Sequence, residues 1–188
     1  MSNEQKLADA LADAAVAEIQ SGMVVGLGTG RTASRGILAL HNRVREENLD
    51  IQVVATSHAT ETQARALGLR LLDFAGVEEV DYLFDGADEV DPDLRMIKGR
   101  GGALVRERVV AKAAARCVYM VAEEKLVTRL GERCSLPVAV QYFGLASIRR
   151  HLIDMGYNGV VRRTLGGEHF LTDQGNLVID VSLPPGKG

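Results

Sequence analysis

Along the chain, short unbroken apolar runs alternate with longer segments whose apolar positions recur every three or four residues. Leu7, Leu11, Ala15 and Ile19 fall four apart on one helical face, with Ser2 and Gln5 at capping-box spacing ahead of them and Gly22 placed to end the helix. Residues 23–27 (MVVGL) are short, apolar and β-branched, the pattern of a buried strand. The same reading gives a helix over 32–48, a strand over 51–55, a helix over 60–67 stopped by Gly68, and a short strand over 69–74. It continues with a strand over 80–85, a helix of good formers over 103–115 and a buried strand over 117–122. Strands that lack a polar face and alternate with helices predict an α/β fold, a parallel sheet covered by helices on both faces. Ligands of such sheets bind beyond the carboxyl ends of the strands.

After Gly131 the pattern changes. Residues 136–140 (LPVAV) predict a strand, 146–155 a helix capped by Gly156, and 160–163, 169–171 and 177–181 further strands, with a turn over 172–176. That is a small α+β unit with antiparallel pairing. The expected organisation is therefore a catalytic domain over residues 1–130 and a small domain over 131–188.

Composition narrows the function. The formal net charge of −3 argues against a nucleic-acid binder. The longest apolar run, residues 117–122, is far too short for a membrane span, and the charged N-terminal segment has no signal-peptide core. Cys117 and Cys134 form no CxxC pair and fit free thiols of a cytoplasmic protein, and His41, His58, His151 and His169 show no metal-ligand spacing. Glycine is in excess, 20 of 188 residues, and it clusters at Gly26, Gly28 and Gly30 and again at Gly99, Gly101 and Gly102. Such clusters mark backbone that closely approaches a partner.

The first cluster runs from a strand into a helix through Gly28, Thr29, Gly30, Arg31 and Thr32. Free N–H groups, the helix dipole, two hydroxyls and a guanidinium together suit an anion. The spacing also fits a loose dinucleotide fingerprint, but the second strand ends in Thr56-Ser57-His58 with no acid for a ribose, so a phosphate site is favoured. An unliganded tight turn is the alternative. The run over residues 56–60 reads best as a helix cap, and lining a cleft is its second reading.

Asp85 and Asp88, three apart across Gly86 and Ala87, can face one cleft and handle the protons of sugar hydroxyls; a solvated acidic turn is an equal alternative, because five acids fall between positions 85 and 93. Lys98 precedes the second glycine nest, Gly99, Arg100 and Gly101, at another helix start, and Glu107 lies in the early turns of that helix. A buried carboxylate there is a competent general base, whereas a surface acid paired with Lys or Arg is the commoner reading. Lys125 follows a strand and by itself reads as a surface residue. Two aspartates, a lysine, a glutamate and a phosphate-type turn, all after strands, suit proton transfer on a small phosphorylated sugar.

The segments GLGTGRTA, FDGADEVD, MIKGRGGALVRERVVAKA, EEKLVTRLG, LPVAV and LTDQGNLVIDV, in this order and spacing, resemble the ribose-5-phosphate isomerase A family. The resemblance implies a Rossmann-like domain plus a ferredoxin-like α+β domain that mediates dimers or tetramers. It implies a cofactor-independent, metal-free aldose–ketose isomerase of the non-oxidative pentose phosphate pathway, working through a cis-enediolate. By the same resemblance Glu107 is the base, Asp85, Asp88 and Lys98 act on the sugar and its oxyanion, and Thr29, Gly30, Arg31, Thr32 and Lys125 bind substrate with the backbone of Gly86, Ala87, Gly99, Arg100 and Gly101. Lys6 matches a family lysine that reaches the phosphate.

The chain departs from the family pattern at Arg31, where serine is usual, at Arg100 inside a glycine run, and at Ala139, where glutamate is usual. It also stops where relatives continue, so the small domain is expected to be incomplete. A non-catalytic sugar-phosphate-binding regulatory module on the same fold is the second hypothesis, motivated by that ending and by the two added arginines.

Overall fold

The computed structural model describes residues 9–184 and 186. Ser2, Gln5, Lys6 and Leu7 lie outside the described residues. In chain order the elements are α1 (Ala10–Val16), β1 (Val24–Leu27), α2 (Arg31–Glu47), β2 (Gln52–Ala55), α3 (His58–Ala66), β3 (Val80–Gly86), β4 (Glu89–Val90) and β5 (Met96–Ile97). They continue with α4 (Leu104–Ala113), β6 (Ala114–Met120), β7 (Leu136–Val140), α5 (Leu145–Asp154), β8 (Asn158–Val161) and β9 (Leu177–Ser182). The chain forms two compact units, one from Met1–Asp85 and Val110–Met120, the other from Gly86–Val109 and Val121–Gly188.

The first unit is built on the parallel sheet β2-β1-β3-β6, in which Val25 pairs with Val53 on one side and Tyr82 on the other. Alternate residues point to opposite faces, and both faces are buried. Val25, Leu27, Val53, Tyr82 and Phe84 pack with Val16, Ile37 and Leu40 from α1 and α2. Val54 and Leu83 pack on the other face with Val110, and Val80 at the start of β3 joins that cluster. That double burial is why these strands read as continuous apolar runs.

The second unit contains the β4–β5 hairpin, where Glu89 pairs with Ile97, and the antiparallel sheet β7-β9-β8. Val140, Ile179 and Val181 of that sheet form a small core with Leu145, Leu152 and Tyr157. Among the described residues no helix is long and apolar enough to cross a membrane.

Several element boundaries differ from the expected ones. Helix α1 stops at Val16 rather than near Gly22. The Arg43 guanidinium donates to the carbonyls of Val16 and, at 3.3 Å, Ile19, taking acceptors a longer helix would have used. Helix α4 ends at Ala113 and β6 begins at once, so alanines with high helix propensity are drawn into the strand that borders β3. Residues 69–74 give one isolated bridge, Leu71 to Val53, and 169–171 give only the bridges Arg163–His169 and Leu171–Leu177. The β4–β5 hairpin inside the acidic stretch was not foreseen.

Candidate active site

In the first unit, β1 leads into the glycine turn. The Gly28 N–H donates to the Phe84 carbonyl at 2.9 Å, and a side chain at Gly28 would stand 2.3 Å from Asp85 Oδ1 and 2.6 Å from its Cα. Only glycine lets the turn approach β3 this closely. Gly30 then takes φ +99° and opens α2 with no side-chain cap and no acid in the first turn. The first N–H groups of such a helix have no intrahelical acceptor and carry the positive end of its dipole. Arg31 is exposed and Thr32 half-buried in that turn.

Asp85, at the end of β3, is fully buried and accepts the Thr29 N–H at 3.2 Å. The Thr29 hydroxyl lies 2.8 Å from those of Thr56 and Ser57 and 3.2 Å from that of Thr60. Thr56 and Thr60 donate in turn to the carbonyls of Leu27 and Gly28, both at 2.9 Å. Ser57 caps α3 as expected, accepting the Thr60 N–H at 3.1 Å. The buried hydroxyls thus do two jobs: they start α3 and hold the glycine turn. The capping motif was legible in the sequence; the second contact required β1 and β2 to be neighbours.

The second unit gathers Asp88, Lys98, Arg100 and Glu107. Lys98 Nζ donates to the Gly86 carbonyl at 2.6 Å and stands 3.7 Å from Glu107 Oε1. The Glu107 N–H bonds the Ala103 carbonyl, placing this 6 % exposed carboxylate in the first turn of α4. Glu107 is therefore not a surface acid and Lys98 not a solvated lysine. Asp88 accepts the Arg100 N–H at 2.9 Å, which ties the glycine nest to the aspartate loop. Gly86 and Ala87 are half-buried between them, Gly99 is buried, and Gly101 is exposed. Lys125 is half-buried in a 3-10 turn, and the next residue, Leu126, bridges Val90 of β4.

The acidic stretch is not a solvated turn: Asp85, Glu89 and Asp91 are all at most 3 % exposed. Glu89 was not singled out by its sequence context, yet it organises the unit. Its carboxylate accepts N–H groups from Gly131 at 2.6 Å, Arg133 at 2.5 Å and Cys134 at 2.7 Å. Burial pushes its pKa up, and these N–H groups outweigh that and hold it below the ordinary value. The Cys134 thiol is pushed up to about 12 by burial and by the adjacent Glu89 carboxylate. Cys117 and Cys134 are both free. Ala139 sits in β7 opposite Val178. Among the described residues no group of three His, Cys, Asp or Glu side chains is arranged to hold a metal ion.

In this α/β protein the first unit thus presents a glycine turn after a parallel strand, opening an uncapped helix suited to an anion, and the second unit holds a buried carboxylate paired with a lysine. Residues 52–187 match the family model of ribose 5-phosphate isomerase A (phosphoriboisomerase A). Over 174 residues the chain is 50% identical to ribose-5-phosphate isomerase A of Chlamydia trachomatis serovar L2, covering 93% of this chain and 72% of that protein. Its counterpart in Roseiflexus sp. is 45% identical over 173 residues, with 92% and 74% covered.

The solved ribose 5-phosphate isomerase A of Methanocaldococcus jannaschii is similar with a TM-score of 0.89 at 38% identity, covering 94% of this chain and 79% of that one. A D-ribose-5-phosphate isomerase in complex with phospho-erythronic acid gives 0.88 at 32%, with 93% and 77% covered. The chain belongs to the ribose 5-phosphate isomerase A family, a family of isomerases.

Proposed function

We propose that this chain interconverts D-ribose 5-phosphate and D-ribulose 5-phosphate through a cis-enediolate, with Glu107 as the base. The observation that carries the reading is the buried Glu107 carboxylate held 3.7 Å from the Lys98 ammonium. In the open-chain aldose, Glu107 takes the proton from C2, and the electron pair moves into the C1–C2 bond as charge builds on the carbonyl oxygen at C1. The same carboxyl returns the proton to C1, while the C2 hydroxyl gives up its proton, the oxygen at C1 gains one, and the C2 oxygen becomes the carbonyl of the ketose. One carboxylate serves because both carbons are adjacent.

Lys98, with the N–H groups of Gly99 and Gly101, stabilises the oxyanion, and preorganised donors of this kind are the strongest aid such a step receives. Asp85 and Asp88 accept sugar hydroxyls and assist ring opening. The substrate phosphate sits at the turn formed by Thr29, Gly30, Arg31 and Thr32, where the helix start attracts an anion. Lys125 and the backbone of Gly86 and Ala87 complete the substrate contacts. The solved relative that holds phospho-erythronic acid supports a phosphorylated four- or five-carbon ligand.

The reading carries with it a role in the non-oxidative pentose phosphate pathway, a cytoplasmic location and a homo-oligomer. No observation favours the binding-only alternative. The test is to incubate the protein with ribose 5-phosphate in deuterium oxide and follow the products by NMR. The proposal expects ribulose 5-phosphate, with solvent deuterium at C1 in those turnovers in which the Glu107 proton exchanges before its return. Absence of ketose refutes the activity, and undiminished turnover in Glu107→Gln refutes the base.

A further inference from the structure

A cleft of about 440 Å³ in the second unit carries three guanidiniums, those of Arg100, Arg133 and Arg162, together with Ser135 and the ring of Phe170. Arg162 is already matched. It grips Asp180 through two N–H···O bonds of 2.9 and 2.5 Å, and its guanidinium lies 5.4 Å from the Phe170 ring centre. Its remaining arm donates to the Arg100 carbonyl at 2.7 Å. Arg133 has weaker claims on it: it donates to the Glu124 carbonyl, and its Nε stands 4.0 Å from a Glu132 carboxylate that is bonded to Thr128. Once Asp180 has matched Arg162, Arg100 and Arg133 leave the lining with two positive charges. Two cationic forks and a hydroxyl beside an aromatic face match a dianionic phosphate.

Arg100 couples this cleft to the aspartate loop. Its own N–H holds Asp88 at 2.9 Å, while its carbonyl is held by Arg162.

We propose that this cleft is a second, regulatory binding site for a dianionic phosphate group, free or as a monoester, and that filling it acts on Asp88 through the Arg100 peptide. The consequence for turnover rests on the role proposed above for Asp88. The site itself does not, and its test does not use activity.

The experiment follows the arginine Nε–Hε and backbone resonances of the labelled full chain by NMR during titration with inorganic phosphate, with chloride at equal ionic strength as the reference. Arg100 and Arg133 are expected to shift together and saturate with phosphate and not with chloride. Arg133→Gln is expected to weaken the apparent affinity read at Arg100 by about five-fold, the loss of one half-exposed charge contact, and Arg133→Lys to restore most of it. Arg31 reports separately on the phosphate turn of the first unit. A parallel titration uses phenyl phosphate: tighter binding than inorganic phosphate assigns the site to an ester packed on Phe170, and equal binding assigns it to the free anion. Non-saturating shifts, equal shifts with chloride, or an Arg100 titration unaltered in Arg133→Gln overturn the site. An Asp88 carboxyl carbon that stays still while Arg100 saturates overturns the coupling.

Discussion

Replacing Glu89 by Gln tests how the second unit is held together. Two backbone N–H groups, from Arg133 and Cys134, converge on Glu89 Oε1, and that of Gly131 meets Oε2. Glutamine keeps one oxygen. With that oxygen under Arg133 and Cys134, its NH2 faces the Gly131 N–H, now only a donor against a donor. The variant loses the charge on two hydrogen bonds and a third bond outright, and it leaves a buried N–H orphaned. Together these cost about 2–4 kcal/mol. At roughly 2–4 °C per kcal/mol for a chain of this size, the melting temperature should fall by about 5–15 °C.

The pH dependence has a definite sign. Because the folded pKa of Glu89 lies below its unfolded value, its stabilisation is fully present above the ordinary carboxylate range and is lost as pH falls through the folded pKa. The gap between wild type and Glu89→Gln should therefore be widest near neutrality and shrink below about pH 4. Thermal and urea unfolding of both proteins across pH reads this directly. A second readout is the Cys134 thiol, which Glu89 helps to push up to about 12. Removing the carboxylate should speed its alkylation at pH 8 in the folded protein. Equal melting temperatures at neutral pH, or a gap that does not narrow in acid, would refute the role assigned to this carboxylate.

Gly28→Ala places a methyl 2.3 Å from Asp85 Oδ1 and 2.6 Å from its Cα, so it should cost about 3 kcal/mol or more and strip activity, seen in paired unfolding and isomerase assays. Tyr82→Phe removes the 2.8 Å bond from the buried hydroxyl to the Ala15 carbonyl and should cost about 1–2 kcal/mol in urea unfolding while leaving KM unchanged. Lys98→Met should lower kcat by about 10²–10³ with the fold intact, as loss of an oxyanion donor does, measured by steady-state kinetics beside a melting curve.

The parallel sheet was legible because its faces are largely buried, which leaves β1 and β2 almost wholly apolar and β3 apolar apart from the exposed Asp81 and, near its end, Asp85. The glycine turn was legible for a related reason, since a Gly28 forced by contact with Asp85 sits at a strand end where chain direction changes. Two boundaries failed where tertiary contacts overrode local preference: Arg43 ends α1 early, and pairing beside β3 pulls Ala114 and Ala115 out of α4. The roles of Glu89, Arg133 and Arg162 were not legible, because each depends on residues tens of positions away that only folding brings near. For Glu107 and Lys98 the sequence left exposure open, and the structure shows a buried carboxylate 3.7 Å from the ammonium rather than two surface residues.

The central claim is that Glu107 moves the proton. Conversion of ribose 5-phosphate to ribulose 5-phosphate, measured side by side for the wild-type chain and a folded Glu107→Gln variant, tests it most directly. The account predicts a kcat lower by about 10²–10⁴ in the variant, the usual contribution of a positioned base, with KM little changed. Equal turnover in the two proteins contradicts it.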